Sequence, residues 1–180
     1  FEPVRATFES NFEQGLELGA SVAVVLAGEL GVDLWAGAAD PDGARPWGRD
    51  TIVNVFSSTK PMAAMVMLGL ADEGLVDLDE PVATYWPEFA ANRKESVLVR
   101  HVLGHTAGLC AWTEPITTEQ LYDLPVATAR LAAQSPLWDP GTAAGYHAVT
   151  QGHLLGEIVR RVTGESLGHR FRTMFAEPLG

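Results

Sequence analysis

Cysteine occurs once, at Cys110, in 180 residues. That excludes an internal disulfide and any cluster of thiolate metal ligands. Lysine occurs twice, at Lys60 and Lys94, and Lys plus Arg total 12 against 23 acidic residues, for a net charge of −11. Without a basic run the chain lacks the electrostatic footprint of a phosphate-backbone binder, so neither nucleic acid nor an anionic membrane surface is an expected partner. Apolar runs such as Val22–Ala27 fall far short of the ~20 residues a spanning helix needs. A basic stretch leading into an apolar run is also missing at the start, and the expected compartment is the cytoplasm. What is present is a chain 47% hydrophobic and 19% charged, enough to bury a core and too apolar for a disordered tail.

Periodicity organises the chain. Val4, Phe8, Phe12 and Leu16 recur at helical spacing over 3–17, before Gly19. Residues 20–28 and 32–38 read as two strands joined by a turn at Gly28–Gly31. The segment 40–50 is loop by composition, and Ile52–Phe56 reads as a short strand. A helix follows with Pro61 in its first turn, where a missing N–H is tolerated, and stops near Gly74. Helical segments are expected at 81–86, 97–104, 117–133, 147–163 and 166–176. The strongest stripe is Leu154, Leu155, Ile158, Val159 and Val162.

Ser57 and Lys60 stand three residues apart at a helix start. That spacing puts them on one helix face, whereas Ser58 points elsewhere. A serine hydroxyl is a weak nucleophile without a base in reach, and a lysine can serve where burial disfavours its ammonium form. Backbone N–H groups at the helix start suit a developing oxyanion. The plainer alternative is a serine that only caps the helix. Tyr146 ends a Gly/Pro-rich loop, Trp138–Gly145, as either an acid–base group or a packing aromatic. His101 and His105, four apart, have the spacing of a metal pair, but no Glu follows the first, and a helix ending at Gly104 explains the same string. His147, His153 and His169 read as packing or surface residues, and Met62, Met65 and Met67 as core.

Taken together, these segments resemble the serine beta-lactamase and penicillin-recognising superfamily, most closely the class C-like branch that includes family VIII carboxylesterases. Ser57-Ser58-Thr59-Lys60 matches its Ser-x-x-Lys. Leu75–Val82 and Tyr85–Phe89 resemble the stretch leaving the nucleophile helix. Leu103–Leu109 resembles the Leu-Leu-x-His-Thr-Ser-Gly-Leu turn, and Pro140–Tyr146 the loop bearing the tyrosine. Where lactamases and D,D-peptidases of the family have Tyr-x-Asn, with the Asn on a substrate amide, this chain has Ala148. That shifts the expectation from lactams toward esters.

The resemblance implies an α+β, class C beta-lactamase-like fold, here its N-terminal half. Residues 1–75 are the expected start of the α/β domain with the nucleophile helix, and 76–180 most of the helical domain. The remaining strands, one oxyanion donor and the third motif are expected in a C-terminal half of the same protein. The implied reaction is ester hydrolysis through an acyl-serine, with Ser57, Lys60 and Tyr146 as catalytic residues, a small ester as substrate, and neither metal nor organic cofactor. A lactamase or D,D-peptidase, an acyltransferase and a non-catalytic family member are the alternatives.

Overall fold

A computed structural model describes residues 1–180. The chain divides into two compact units, Phe1–Asn54 and Val55–Gly180. This division reflects contacts within the chain, whereas the 1–75 and 76–180 domains expected from the resemblance refer to the whole fold.

In the first unit, helix α1 (Glu2–Glu13) has Pro3 in its first turn. It stops short of the expected residue 17. The backbone turns left-handed at Gly15 (φ 67°), and Leu16 N–H closes on the Asn11 carbonyl at 2.9 Å. Strands β1 (Gly19–Leu26) and β2 (Glu29–Gly37) pair antiparallel. Their turn is tighter than the sequence suggested: Ala27 (φ 51°) and Gly28 (φ 82°) are both left-handed, as a two-residue hairpin matching the strand twist requires. The register then slips. Val25 faces Leu30 and Val24 faces Val32, so Gly31 is the extra residue of a bulge. A Cβ there would stand 2.3 Å from the Phe1 ring. The loop is tied by Asp40, which accepts from Ala44 N–H at 2.9 Å and Arg45 Nε at 3.0 Å. The Arg45 bond holds its carboxyl below the ordinary range. Residues 52–55 form no strand, since the sheet contains only β1 and β2. Without a neighbouring strand the β-prone run has no ladder to join, and Ile52 is 93% exposed.

The second unit is helical. A 3-10 turn (Phe56–Ser58) leads into α2 (Thr59–Asp72), which buries Ala63, Val66, Met67 and Leu70. Met67 is core as read, but Met62 and Met65 are 41% and 39% exposed. After α3 (Val82–Tyr85), a 3-10 turn (Pro87–Ala90) and α4 (Val99–Leu103), the segment expected as one helix over 117–133 is two, α5 (Thr118–Tyr122) and α6 (Leu124–Ala133). Pro125 has no N–H to continue the first helix, and Asp123 caps the second by accepting from Val126 N–H at 3.2 Å. Helix α7 (Thr150–Thr163) presents the expected stripe: Leu154, Leu155, Ile158 and Val159 are fully buried and share a core with α2, Trp86 and Phe89. The chain closes with α8 (Leu167–Phe171), a π-helical turn (Arg172–Ala176) and α9 (Glu177–Leu179). No helix is long and apolar enough to cross a membrane.

Two buried charges brace this unit. Burial pushes the Glu157 carboxyl up, but Arg160 (2.8 Å) and Arg161 (2.7 Å) outweigh it and hold it low. Lys94 is fully buried. It donates to the Ala91 carbonyl at 2.6 Å and to the Gln134 carbonyl, and burial lowers it to about 8.

Candidate active site

The three residues singled out by the sequence lie within the helical unit and close together. Ser57 sits in the 3-10 turn and Lys60 one turn on, in α2. The i, i+3 offset brings Lys60 Nζ to 3.5 Å from Ser57 Oγ, at the outer edge of hydrogen-bonding distance. Phe56, just before the serine, is left-handed (φ 45°), a conformation costing about 1–3 kcal/mol for a non-glycine residue and common where function over-determines the backbone. Ser58, at the N-cap of α2, makes no side-chain cap bond.

Tyr146 reaches this point on the loop before α7. Lys60 Nζ stands 4.9 Å from its ring centroid. Hydrogen bonding to Ser57 and then Lys60, with the lysine's charge, brings the phenol below the ordinary tyrosine range. Lys60 also donates to the Ala148 carbonyl at 2.7 Å. Position 148 thus contributes its main chain, and its methyl offers a substrate no hydrogen bond.

The loop is pinned to the turn after α4. Gly141 N–H and the Trp138 indole N–H donate to the Thr106 carbonyl at 2.9 and 3.3 Å. Gly145 lies flat on Trp138, where a Cβ would come within 2.4 Å of the indole. His147 is fully buried. Its Nδ1 meets the Gly145 carbonyl at 2.6 Å and its Nε2 accepts Leu109 N–H at 3.1 Å. His101 and His105 do not form a shared ligand set. His101 Nδ1 accepts Leu98 N–H at 3.2 Å, while His105 Nδ1 accepts His147 N–H at 3.1 Å. Sequence reasoning left His105 as a turn residue, and nothing local to 101–109 shows that its ring meets Tyr146 at 4.8 Å.

A groove of about 330 Å³ opens here, lined by Phe56, Ser57, Lys60, Ala148, Val149 and Gly152. A larger depression of about 520 Å³ beside Trp112, Arg130 and Gln134 holds none of the three residues. The nucleophile–base pair, not size, marks the smaller groove as the candidate site.

The beta-lactamase family model matches residues 8–180. The chain belongs to the beta-lactamase family. Within it, the chain is similar to "Esterase/beta-lactamase LipL" of Mycobacterium tuberculosis (strain ATCC 25618 / H37Rv), 44% identical over 179 residues that cover 99% of this chain and 41% of that protein. It is 30% identical to "Esterase EstB" of Burkholderia gladioli over 197 residues, covering 97% of this chain and 50% of that one. Among solved structures, a family VIII carboxylesterase superposes with a TM-score of 0.94 at 50% identity, over 100% of this chain and 49% of that chain. The fold is therefore beta-lactamase-like, mixed helix and sheet. The chain spans about half the length, or less, of these relatives.

Proposed function

We propose that this chain carries the nucleophile of a serine hydrolase that cleaves small carboxylic esters through an acyl-serine intermediate. The observation that carries the reading is the placement of Lys60 Nζ 3.5 Å from Ser57 Oγ and 4.9 Å from the Tyr146 ring. Ser57 Oγ attacks the ester carbonyl as its proton passes to the Lys60–Tyr146 pair. The tetrahedral oxyanion collapses, the C–O bond to the alcohol breaks, and Tyr146 returns a proton to the leaving alkoxide. Water then attacks the acyl-serine, releasing the carboxylic acid and restoring the Ser57 hydroxyl. No step requires a metal or an organic cofactor.

Ala148, in place of the amide-binding Asn of the lactamase motif, favours esters over lactams; EstB and the family VIII carboxylesterase are named for ester chemistry, while LipL carries both names. The other oxyanion donor and further sheet strands belong, on this reading, to a C-terminal half of the same protein, its expected partner.

The test uses the intact protein with a fluorophosphonate probe, p-nitrophenyl butyrate and nitrocefin. Labelling at Ser57 with ester turnover far above nitrocefin turnover is expected. Preferred nitrocefin turnover would make it a lactamase instead, and no labelling a non-catalytic member.

A further inference from the structure

His105 lies outside the catalytic trio, yet three of its groups bracket Tyr146. Its carbonyl accepts Gly145 N–H at 3.1 Å. Its Nδ1 accepts His147 N–H at 3.1 Å. Its ring sits 4.8 Å from the Tyr146 ring, tilted by 55°. The residues before and after the tyrosine are thus both tied to one histidine, while the phenol leans on the imidazole between them. His105 is itself left-handed (φ 63°), a conformation that persists in a non-glycine residue only where the surroundings enforce it.

The partners define the protons. With Nδ1 accepting an amide N–H, His105 carries its proton on Nε2. His147, whose Nε2 accepts Leu109 N–H at 3.1 Å, carries its own on Nδ1, facing the Gly145 carbonyl. Burial lowers both imidazoles, and at His105 the charge of Lys60 lowers it further. Both rings are therefore held toward the neutral form.

We infer that His105 is a positioning residue: its acceptor bond to the His147 amide and its ring against the phenol hold the Tyr146 hydroxyl at the Ser57–Lys60 pair. The inference rests on the acyl-serine reading above. Ring contact alone would leave the loop free to slide, and the main-chain bonds alone would leave the phenol free to swing. The combination fixes both, and displacing a reacting group by ~1 Å can cost ~100-fold in rate. An imidazolium would lose the Nδ1 lone pair and place a second cation beside Lys60. The ionisable groups around the ring are Lys60 on α2 and Tyr146 and His147 on the loop.

The test compares His105→Ala, His105→Gln and His105→Asn in the intact protein, by kcat and KM for p-nitrophenyl butyrate, alongside fluorophosphonate labelling of the wild type. Ala removes the acceptor, and Gln fills similar space with its oxygen one atom too far out. Asn sets Oδ1 where Nδ1 stood and tolerates the left-handed backbone. In Ala and Gln, kcat should fall ~10–100-fold with KM within ~3-fold, and Asn should recover most of the loss. If Ala does not fold, Gln decides. A folded Ala or Gln variant with wild-type kcat overturns the inference, as does an Asn variant as slow as the others. A wild type that neither labels nor turns over ester overturns the hydrolase reading itself, and the inference with it, so the two failures are told apart by the wild type.

Discussion

Phe1–Asn54 buries only two apolar side chains, Val32 and Leu34, and leaves Val25, Leu26 and Leu30 more than half exposed. Val55–Gly180 closes Val66, Met67, Trp86, Phe89, Leu154, Leu155 and Ile158 away from solvent around one core. All three proposed catalytic residues belong to this second unit. The difference shows what the chemistry needs locally. A serine, a lysine and a tyrosine from segments some 90 residues apart hold their geometry because α2 and α7 share a core. A two-stranded hairpin could not hold them so, since it is marginal without further strands or a covering helix.

The sharpest way to break this contrast is to remove the nucleophile. Ser57→Ala should lower ester kcat by up to ~10⁶, the scale seen when a hydroxyl nucleophile is deleted from a unit that acts as a whole. Ser58→Ala should keep most activity, because Ser58 makes no side-chain cap bond. Mass spectrometry of a trapped acyl group decides between them, and an adduct on Ser58 would overturn the assignment.

Tyr146→Phe tests the loop rather than the helix. Loss of a general acid should cost ~10²–10⁴ in kcat. In the wild type the phenol sits below its ordinary value, chiefly through its hydrogen bond to Ser57. Its proton is therefore lost as pH rises through a point below the usual tyrosine range, and, beside the charged Lys60, the phenolate is the form that can accept the Ser57 proton, so kcat should rise through that point. The limb should vanish from the residual activity of Tyr146→Phe, and a persisting limb would assign it to another group.

How much of this was readable depended on whether the signal was local. The α7 stripe was legible because five apolar positions at helical spacing leave one way to bury them. Ser57 and Lys60 were legible because i, i+3 fixes their common face. The strand at 52–56 was misread because β-propensity cannot reveal whether a neighbour exists to pair with. The helix over 117–133 was read as continuous because its pattern ran through Pro125, where a missing N–H let Asp123 start a new helix. His105 was out of reach, since its role depends on a bond to a residue 42 positions away. The support Ala148 gives Lys60 was equally hidden: every residue has a carbonyl, so no side chain announces it.

The smallest expected effects compare the two units directly. Leu155 is fully buried on α7, and Leu155→Ala should cost about 2–5 kcal/mol, because the tightly shared core leaves a cavity that only partly collapses. Val25 on β1 is 63% exposed, and Val25→Ala should cost about 0.5 kcal/mol or less. Urea unfolding of the intact protein measures both, with Ser57 labelling as the readout of the site. Labelling should weaken as Leu155→Ala unfolds and stay at the wild-type level in Val25→Ala. If Val25→Ala cost as much as Leu155→Ala, the exposed face of the hairpin would be covered in the intact protein. The strand would then belong to a core as closed as that of the helical unit, and the contrast between the two would be a property of residues 1–180 taken alone.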